Sequence, residues 1–204
     1  MKTKIVAIHG LIGHGKDTLA SCIANEIVSM RTVRKAFADI PKHNISLITG
    51  IPLHAIVNKG FTSHHFDFSR EQKNTYLEQW GMTLGEFLQK YTTEACRNVI
   101  DNNIWIKSLM NSIPEDDDLN TYIVTDVRFE NEIEALKKRN ATLIKITRPN
   151  YEKETGRDHS HESEKGLPDK LFKYLIKNSR DVDYLRDVAK AIVKEERLET
   201  LLSA

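Results

Sequence analysis

The chain has 204 residues, 40% of them hydrophobic and 29% charged, with a formal net charge of +1. That length suits one domain with room for a small inserted subdomain, and the composition is ordinary for a globular protein. A balance this close to neutral gives no sign of a nucleic-acid or membrane surface, and no apolar run approaches the roughly 18 residues of a membrane span.

The amino terminus, Met1-Lys2-Thr3-Lys4, leads directly into the apolar run Ile5-Val6-Ala7-Ile8. It lacks the length and apolar core of a signal peptide, so a cytoplasmic protein is expected. Next comes Gly10-Leu11-Ile12-Gly13-His14-Gly15-Lys16-Asp17-Thr18, then a segment with helical periodicity at Leu19, Ile23, Ala24 and Ile27. Strand, glycine-rich turn, lysine, helix is the order a phosphate-binding loop needs. Glycines let the backbone curl so that its N–H groups meet an anion at the helix start, and Lys16 adds a positive charge for the outer phosphates. The general motif expects Ser or Thr after the lysine as a magnesium ligand; here Asp17 stands there, with Thr18 next. The competing reading is a strand-to-helix turn that binds nothing.

The first helix is expected over 16–30 and a second strand over 33–38. Pro41 disfavours helix at Ile40 and marks a strand-to-helix corner. Lys42 would then lie near the carboxyl edge of the sheet, where open α/β folds bind ligands. Residues 43–70 read poorly: apolar pieces broken by Gly50 and Pro52, then a loop, 60–68, with aromatic residues and a His64-His65-x-Asp67 group that metal-ligand spacing does not support. An excursion here suits a substrate-covering element. Residues 70–112 read as helical, with Tyr76, Trp80, Leu84, Phe87, Leu88 and Tyr91 on one face. Trp105 follows the polar run Asp101-Asn102-Asn103, so it is expected to face a cleft and stack on a base. Cys22 and Cys96 fall in expected helices and read as free buried thiols of a reducing compartment.

An acidic loop over 114–118 precedes a third strand, Tyr122-Ile123-Val124-Thr125, ending in Asp126-Val127-Arg128. An aspartate there can hold the water shell of magnesium, and Arg128 can grip a phosphate with its fork. A local Asp126–Arg128 ion pair is the plainer alternative. A helix over 130–139 is stopped by Asn140; a fourth strand covers 142–147 and ends in Arg148-Pro149. Residues 150–168 have the charged, histidine-rich composition of a lid. A fifth strand is expected over 172–176 and a closing helix over 182–202. This alternation implies a parallel sheet between helices, a three-layer α/β/α phosphate-loop NTPase fold.

Several separated pieces of the chain resemble the phage-type deoxynucleoside monophosphate kinases, whose relatives include phosphomevalonate kinase-like proteins. The Gly15-Lys16-Asp17-Thr18 ending is typical of that family and accounts for Asp17. Phe37-Ala38-Asp39-Ile40-Pro41-Lys42 resembles its Ala-x-Pro-x-Lys corner, with the proline displaced by one. Thr93-Glu94-Ala95-Cys96-Arg97 and Trp105-Ile106-Lys107 resemble its Gly-Thr-Glu-x-x-Arg…Trp-x-Lys segment, with Thr92 in place of glycine. Asp126-Val127-Arg128-Phe129-Glu130-Asn131-Glu132 is similar to its Asp-x-Arg-x-x-x-Glu element. Arg148-Pro149 and His161-Glu162-Ser163-Glu164 resemble its lid, and Asn178 with Leu185 its last strand and helix. The likeness spans essentially the whole chain and is weakest over 43–75.

The resemblance implies one phosphate-loop kinase domain over 1–204, with an acceptor-binding helical region near 40–112 and a lid near 149–168. It implies phosphoryl transfer from ATP, with magnesium, to a deoxynucleoside monophosphate. Gly13, His14, Gly15, Lys16, Asp17 and Thr18 would hold the ATP phosphates, and Arg148 and Arg157 would bring lid charge onto them. Lys16, Asp126 and Arg128 would serve the transfer, and Asp17, Thr18 or Asp126 would position the metal. Arg97, Arg128, Lys42, Trp105 and Glu132 would bind the acceptor, while His161 and Glu164 would order the lid. No nucleic-acid or membrane partner is expected, and a homodimer is compatible with the resemblance. Two rival functions remain at this point: a kinase of a non-nucleotide acceptor such as phosphomevalonate, and a nucleotide-binding switch without an acceptor.

Overall fold

The computed structural model describes residues 2–28, 30–57, 59–149, 166–179 and 181–198. They form two compact units: one of residues 1–35, 58–63 and 113–204, the other of residues 36–57 and 64–112.

In chain order the strands and helices are β1 (Lys4–His9), α1 (Lys16–Glu26), β2 (Arg31–Lys35), α2 (Asp39–Thr49), β3 (His54–Ile56), β4 (His65–Asp67), α3 (Arg70–Lys73), β5 (Tyr76–Leu77), β6 (Met82–Thr83) and α4 (Leu84–Gln89). A π-helix (Lys90–Ile100) follows, then α5 (Ile104–Asn111), β7 (Asn120–Val127), α6 (Glu130–Lys138), β8 (Thr142–Thr147), a 3₁₀ turn (Asp169–Leu171), β9 (Tyr174–Lys177) and α7 (Val182–Glu195).

The first unit is built on a five-stranded sheet in the order β2-β7-β1-β8-β9, every neighbouring pair parallel. Parallel strands covered on both faces read as apolar runs rather than alternations, and Ile5-Val6-Ala7-Ile8 is such a run, all four residues at 2% exposure or less. Val6, Ile8, Ile123, Ile144 and Ile146 point into one cluster with Leu19 and Ile23 of α1 and Leu185, Ala189 and Ile192 of α7. Ile5 and Ala7 lie outside that cluster, as strand alternation requires. Helix α6 packs on β8 and buries Ile133 and Leu136. This is the expected α/β/α sheet arrangement.

Several boundaries differ from expectation. Helix α1 stops at Glu26, because Ile27 turns extended and Ile27 and Met30 drop into the core. β2 therefore begins at Arg31, two residues early, where Arg31 N–H donates to Leu119 O. β2 is an edge strand, and residues 60–63 cover it. Thr62 donates to Thr32 O through both its N–H and its hydroxyl, Thr32 hydroxyl donates to Gly60 O, and Arg34 N–H donates to Ser63 Oγ. Ile40 is helical after all: α2 opens at Asp39, so Pro41 sits in the first turn, where a missing N–H costs no intrahelical bond.

The second unit departs most from the reading of 70–112 as helical, a reading interrupted only at Gly81 and Gly85. Gly81, at φ 62, and the bonds of Trp80 and Gly81 N–H to Leu77 O close a turn between two short paired strands. Ser69–Gln72 and Thr83–Glu86 each form a reciprocal capping box that starts a new helix. Ile45, Phe68, Leu77 and Leu84 make a small core, with Trp80, Phe87, Leu88 and Tyr91 packed against it.

Candidate active site

The loop after β1 is squeezed between the ends of β8 and β9. A Cβ on Gly10 would stand 2.6 Å from Ile146 O, and one on Gly15 would stand 2.5 Å from Asn178 Nδ2. Gly15 also has φ +97, so only glycine suits it. Asn178 Nδ2 donates to His14 O at 3.0 Å, and Lys16 Nζ donates to Leu11 O at 2.9 Å, folding the lysine over the loop. Gly15 caps α1 without a side chain, so no side-chain acceptor competes for the N–H groups of its first turn. The His14 side chain is buried, and the backbone N–H of His14 donates to Leu11 O at 3.2 Å. Asp17 and Thr18 are exposed at the helix start, and Asp17 Oδ1 lies 3.6 Å from Arg34 Nη2.

His9, at the end of β1, sits among cations. Its Nδ1 bonds Val127 O at 2.8 Å and its Nε2 accepts from Leu167 N–H at 3.2 Å, which fixes the neutral tautomer with the proton on Nδ1. The ring stacks on Phe172 at 5.4 Å. Burial lowers its pKa to about 4; the bond to Val127 opposes that shift, and the charges of Lys145, Lys16 and Arg128 add to it. Lys145 in turn donates to Asp169 Oδ1 at 2.7 Å and to Leu167 O.

The carboxyl end of β7 carries a bulge: Ala7 pairs with Val124 but His9 pairs with Val127. Thr125 and Asp126 fall inside it, and such bulges re-aim side chains beside functional sites. Asp126 and Arg128 are both half-buried there. Glu132 is 2% exposed, and its Oε2 accepts from Arg128 N–H at 2.7 Å and Phe129 N–H at 3.1 Å. Glu132, expected to bind the acceptor, thus turns this oxygen to the backbone of 128–129. Its carboxylate caps α6 and sets the backbone at Arg128.

An open pocket of about 330 Å³ is lined by His9, Gly10, His14, Lys145, Arg148 and Lys177, among others. The loop and Arg148 thus share one cavity. Arg157, His161 and Glu164 lie outside the described residues.

Lys42, Arg97 and Trp105 belong to the second unit. Lys42 Nζ pairs with Asp67 at 3.0 Å and Lys73 pairs with the same carboxyl at 2.9 Å. Burial would raise the Asp67 pKa, yet Lys42 and Lys73 hold it below the ordinary carboxyl range. Arg97 lies in the π-helix, is 6% exposed, and its Nη2 donates to Asn102 Oδ1 at 3.3 Å. π-Helical turns are rare and frequent at functional sites. Trp105 does not face a cleft: it is buried, its indole N–H donates to Thr92 O at 2.9 Å, and its ring tilts against Tyr91. The helix α5 begins at Ile104, so the polar run before it caps a turn and Trp105 points inward.

Among the described residues no group of three His, Cys, Asp or Glu side chains could hold a metal ion. Asp17 and Thr18 are exposed at the start of α1, and Asp126 is half-buried in the bulge of β7; each offers oxygen, the donor a hard cation takes.

Sequence reasoning passes over His9, Arg34 and the hold of Asn178 on the loop. His9 had one visible signal, a histidine closing an apolar strand; Arg34 had another, a charge inside an expected strand. Nothing in the sequence marks the π-helix.

The deoxynucleotide monophosphate kinase family matches residues 47–188. A protein of Acanthamoeba polyphaga mimivirus, provisionally named a deoxynucleotide monophosphate kinase, is 26% identical over 197 residues, 88% of this chain and 90% of the relative. The deoxynucleoside-5'-monophosphate kinase of Escherichia phage T5 is 34% identical over 116 residues, 54% of this chain and 45% of the relative. The family match covers well over half of the chain and disfavours a switch module or a non-nucleotide acceptor. This chain belongs to the deoxynucleotide monophosphate kinase family, and is a phosphotransferase.

Proposed function

We propose that the chain moves the γ-phosphoryl of ATP to a deoxynucleoside 5'-monophosphate, with Lys16, Arg128 and Asp126 serving the transfer. The observation that carries this is the glycine loop itself: Gly15, at φ +97, caps α1 without a side chain, and Lys16 folds back over the loop onto Leu11 O. Phosphoryl transfer asks for alignment and charge neutralisation more than for covalent chemistry. An acceptor phosphate oxygen bonds to the γ-phosphorus, the bond to the β–γ bridging oxygen breaks, and ADP leaves with that electron pair. Gly13, Gly15, Lys16 and Thr18 hold the triphosphate, largely by backbone N–H groups at the start of α1, with Arg148 at the pocket rim. Magnesium, when bound, screens the β- and γ-phosphate charge; Asp17, Thr18 or Asp126 would hold it through its waters. Arg128 grips the acceptor phosphate, and Glu132 keeps Arg128 in place. Lys42 and Arg97, in the second unit, are the remaining acceptor-binding residues, and that unit is the acceptor-binding insertion of a kinase domain. Among the described residues no helix is long and apolar enough to cross a membrane; the buried free thiols Cys22 and Cys96 suit a reducing cytoplasm, that of the host for a phage-encoded protein.

The test is ADP release with ATP, magnesium and each deoxynucleoside monophosphate in turn, beside ribonucleotides, phosphomevalonate and Lys16→Ala. Turnover with one or more deoxynucleotides, lost in the variant, is the expected result. ADP release that no monophosphate raises would return the chain to the switch reading.

A further inference from the structure

The kinase reading leaves Arg34 without a role. It lies in β2, beside Ile123 of β7. Its side chain is 9% exposed. Its nearest counter-charge is Asp17 Oδ1, 3.6 Å from Nη2 and beyond hydrogen-bond length. Among the described residues, Nε and Nη1 are both buried with no hydrogen-bond partner. A guanidinium keeps its charge at any pH a protein meets. Arg34 is thus a buried cation with most of its N–H donors unused among the described residues, offset there by the Asp17 carboxylate at ion-pair distance alone, a costly arrangement.

Its position says what would compensate it. Asp17 occupies the first turn of α1, one residue after Lys16, where the loop offers its donors to an anion. The neighbouring strand β7 adds a second buried polar atom without a partner among the described residues, Thr125 Oγ1, inside the bulge beside Asp126. The side chain of Asp17 is 69% exposed and can turn outward, whereas Arg34 is held in the sheet.

We propose that Arg34 is a phosphoryl-binding residue. Its unused N–H groups take the oxygens of a phosphoryl group held at the start of α1, as Asp17 turns away. The ligand chemistry is a phosphate oxyanion, either of the donor triphosphate or of the acceptor monophosphate. The proposal rests on the kinase reading above.

The experiment compares wild-type protein with Arg34→Met and Arg34→Lys. The readouts are melting temperature without ligand, binding of inorganic tripolyphosphate, and kcat and KM for both substrates. Removing a buried charge that has one distant, exposed counter-ion should leave Arg34→Met melting at or above the wild-type temperature. Its kcat should fall about a hundredfold or more, as when one preorganised donor to a transition state is lost. Arg34→Lys, a point charge without the fork, should recover only part of the rate. Tripolyphosphate binding weakened about tenfold assigns the donor side; a raised KM for the monophosphate alone assigns the acceptor side. The proposal is overturned if Arg34→Met melts lower while kcat and tripolyphosphate binding stay within about twofold of wild type, the signature of a structural ion pair. If Arg34→Met does not fold, Arg34→Lys with wild-type turnover overturns it equally. If wild-type protein turns over no monophosphate, the kinase reading fails, and tripolyphosphate binding alone then decides whether Arg34 meets phosphate.

Discussion

The two compact units are held in different ways. The first rests on strands of four to eight residues whose side chains share one large cluster with α1 and α7. The second rests on strands of two or three residues, an 11-residue π-helix and a core cluster of four buried apolar side chains. Long apolar strands fix their neighbours' positions through many contacts at once. Short pieces depend on individual caps and turns, each worth about 1 kcal/mol. The first unit can therefore hold a rigid phosphate loop, while the second can accommodate a rare helix type around Arg97.

The sharpest way to separate the two is by their effect on turnover. Lys16→Ala removes the charge folded over the glycine loop and should lower kcat about a thousandfold, with the melting temperature little changed. Arg97→Lys in the second unit should act mainly on the KM for the monophosphate. Steady-state kinetics on both variants checks this. A large kcat loss from Arg97→Lys at unchanged KM would place Arg97 with the transfer residues instead.

Core truncations probe stability. Ile8 in the first unit and Leu84 in the second are both fully buried. Ile8→Ala and Leu84→Ala should each cost about 3 kcal/mol. Hydrogen exchange should show each loss chiefly in its own unit, at the amides of β1 and α4 respectively. Equal loss of protection in both would mean that the chain unfolds as one body.

The same contrast governs what could be read in advance. Five strands of the large sheet were legible because buried parallel strands write themselves as apolar runs, and β8 falls on 142–147 as expected. The placement of Lys16, Asp126 and Arg128 beside the ends of β1 and β7 was legible because a strand end fixes where its next residues go. In the second unit the aromatic spacing from Tyr76 to Tyr91 mimics a single helix. The Ser69–Gln72 and Thr83–Glu86 pairs that interrupt it were present in the sequence as capping patterns, but a residue pair weighs little beside a periodicity. The resemblance points Glu132 at ligand, and the polar run before Trp105 points that residue at a cleft. Both side chains are buried with backbone partners, of which sequence carries no direct record.

A pH titration tests the first unit alone. His9 has its pKa lowered to about 4, against an ordinary 6.5. Between those values the unfolded chain takes up a proton that the folded chain refuses, so stability is fully present above about pH 6.5 and falls as pH drops towards 4. The loss should be about 3 kcal/mol. Urea unfolding of wild type and His9→Asn at several pH values reads it: the difference in slope between them belongs to His9. Matching slopes would mean that His9 does not carry the titration.

The smallest effect tests the second unit and the corrected tryptophan. Trp105 donates its indole N–H to Thr92 O, a carbonyl within the π-helix. Trp105→Phe keeps an aromatic ring in the core but deletes that donor, leaving a carbonyl without it. The expected cost is about 1 kcal/mol of stability, with kcat and the KM for each monophosphate within about twofold of wild type. Base stacking would give another pattern: KM would rise for the monophosphates by unequal factors, following the stacking strength of each base, while stability changed little. The two outcomes separate a residue that holds the π-helix from one that touches substrate, and buried position with a backbone partner favours the first.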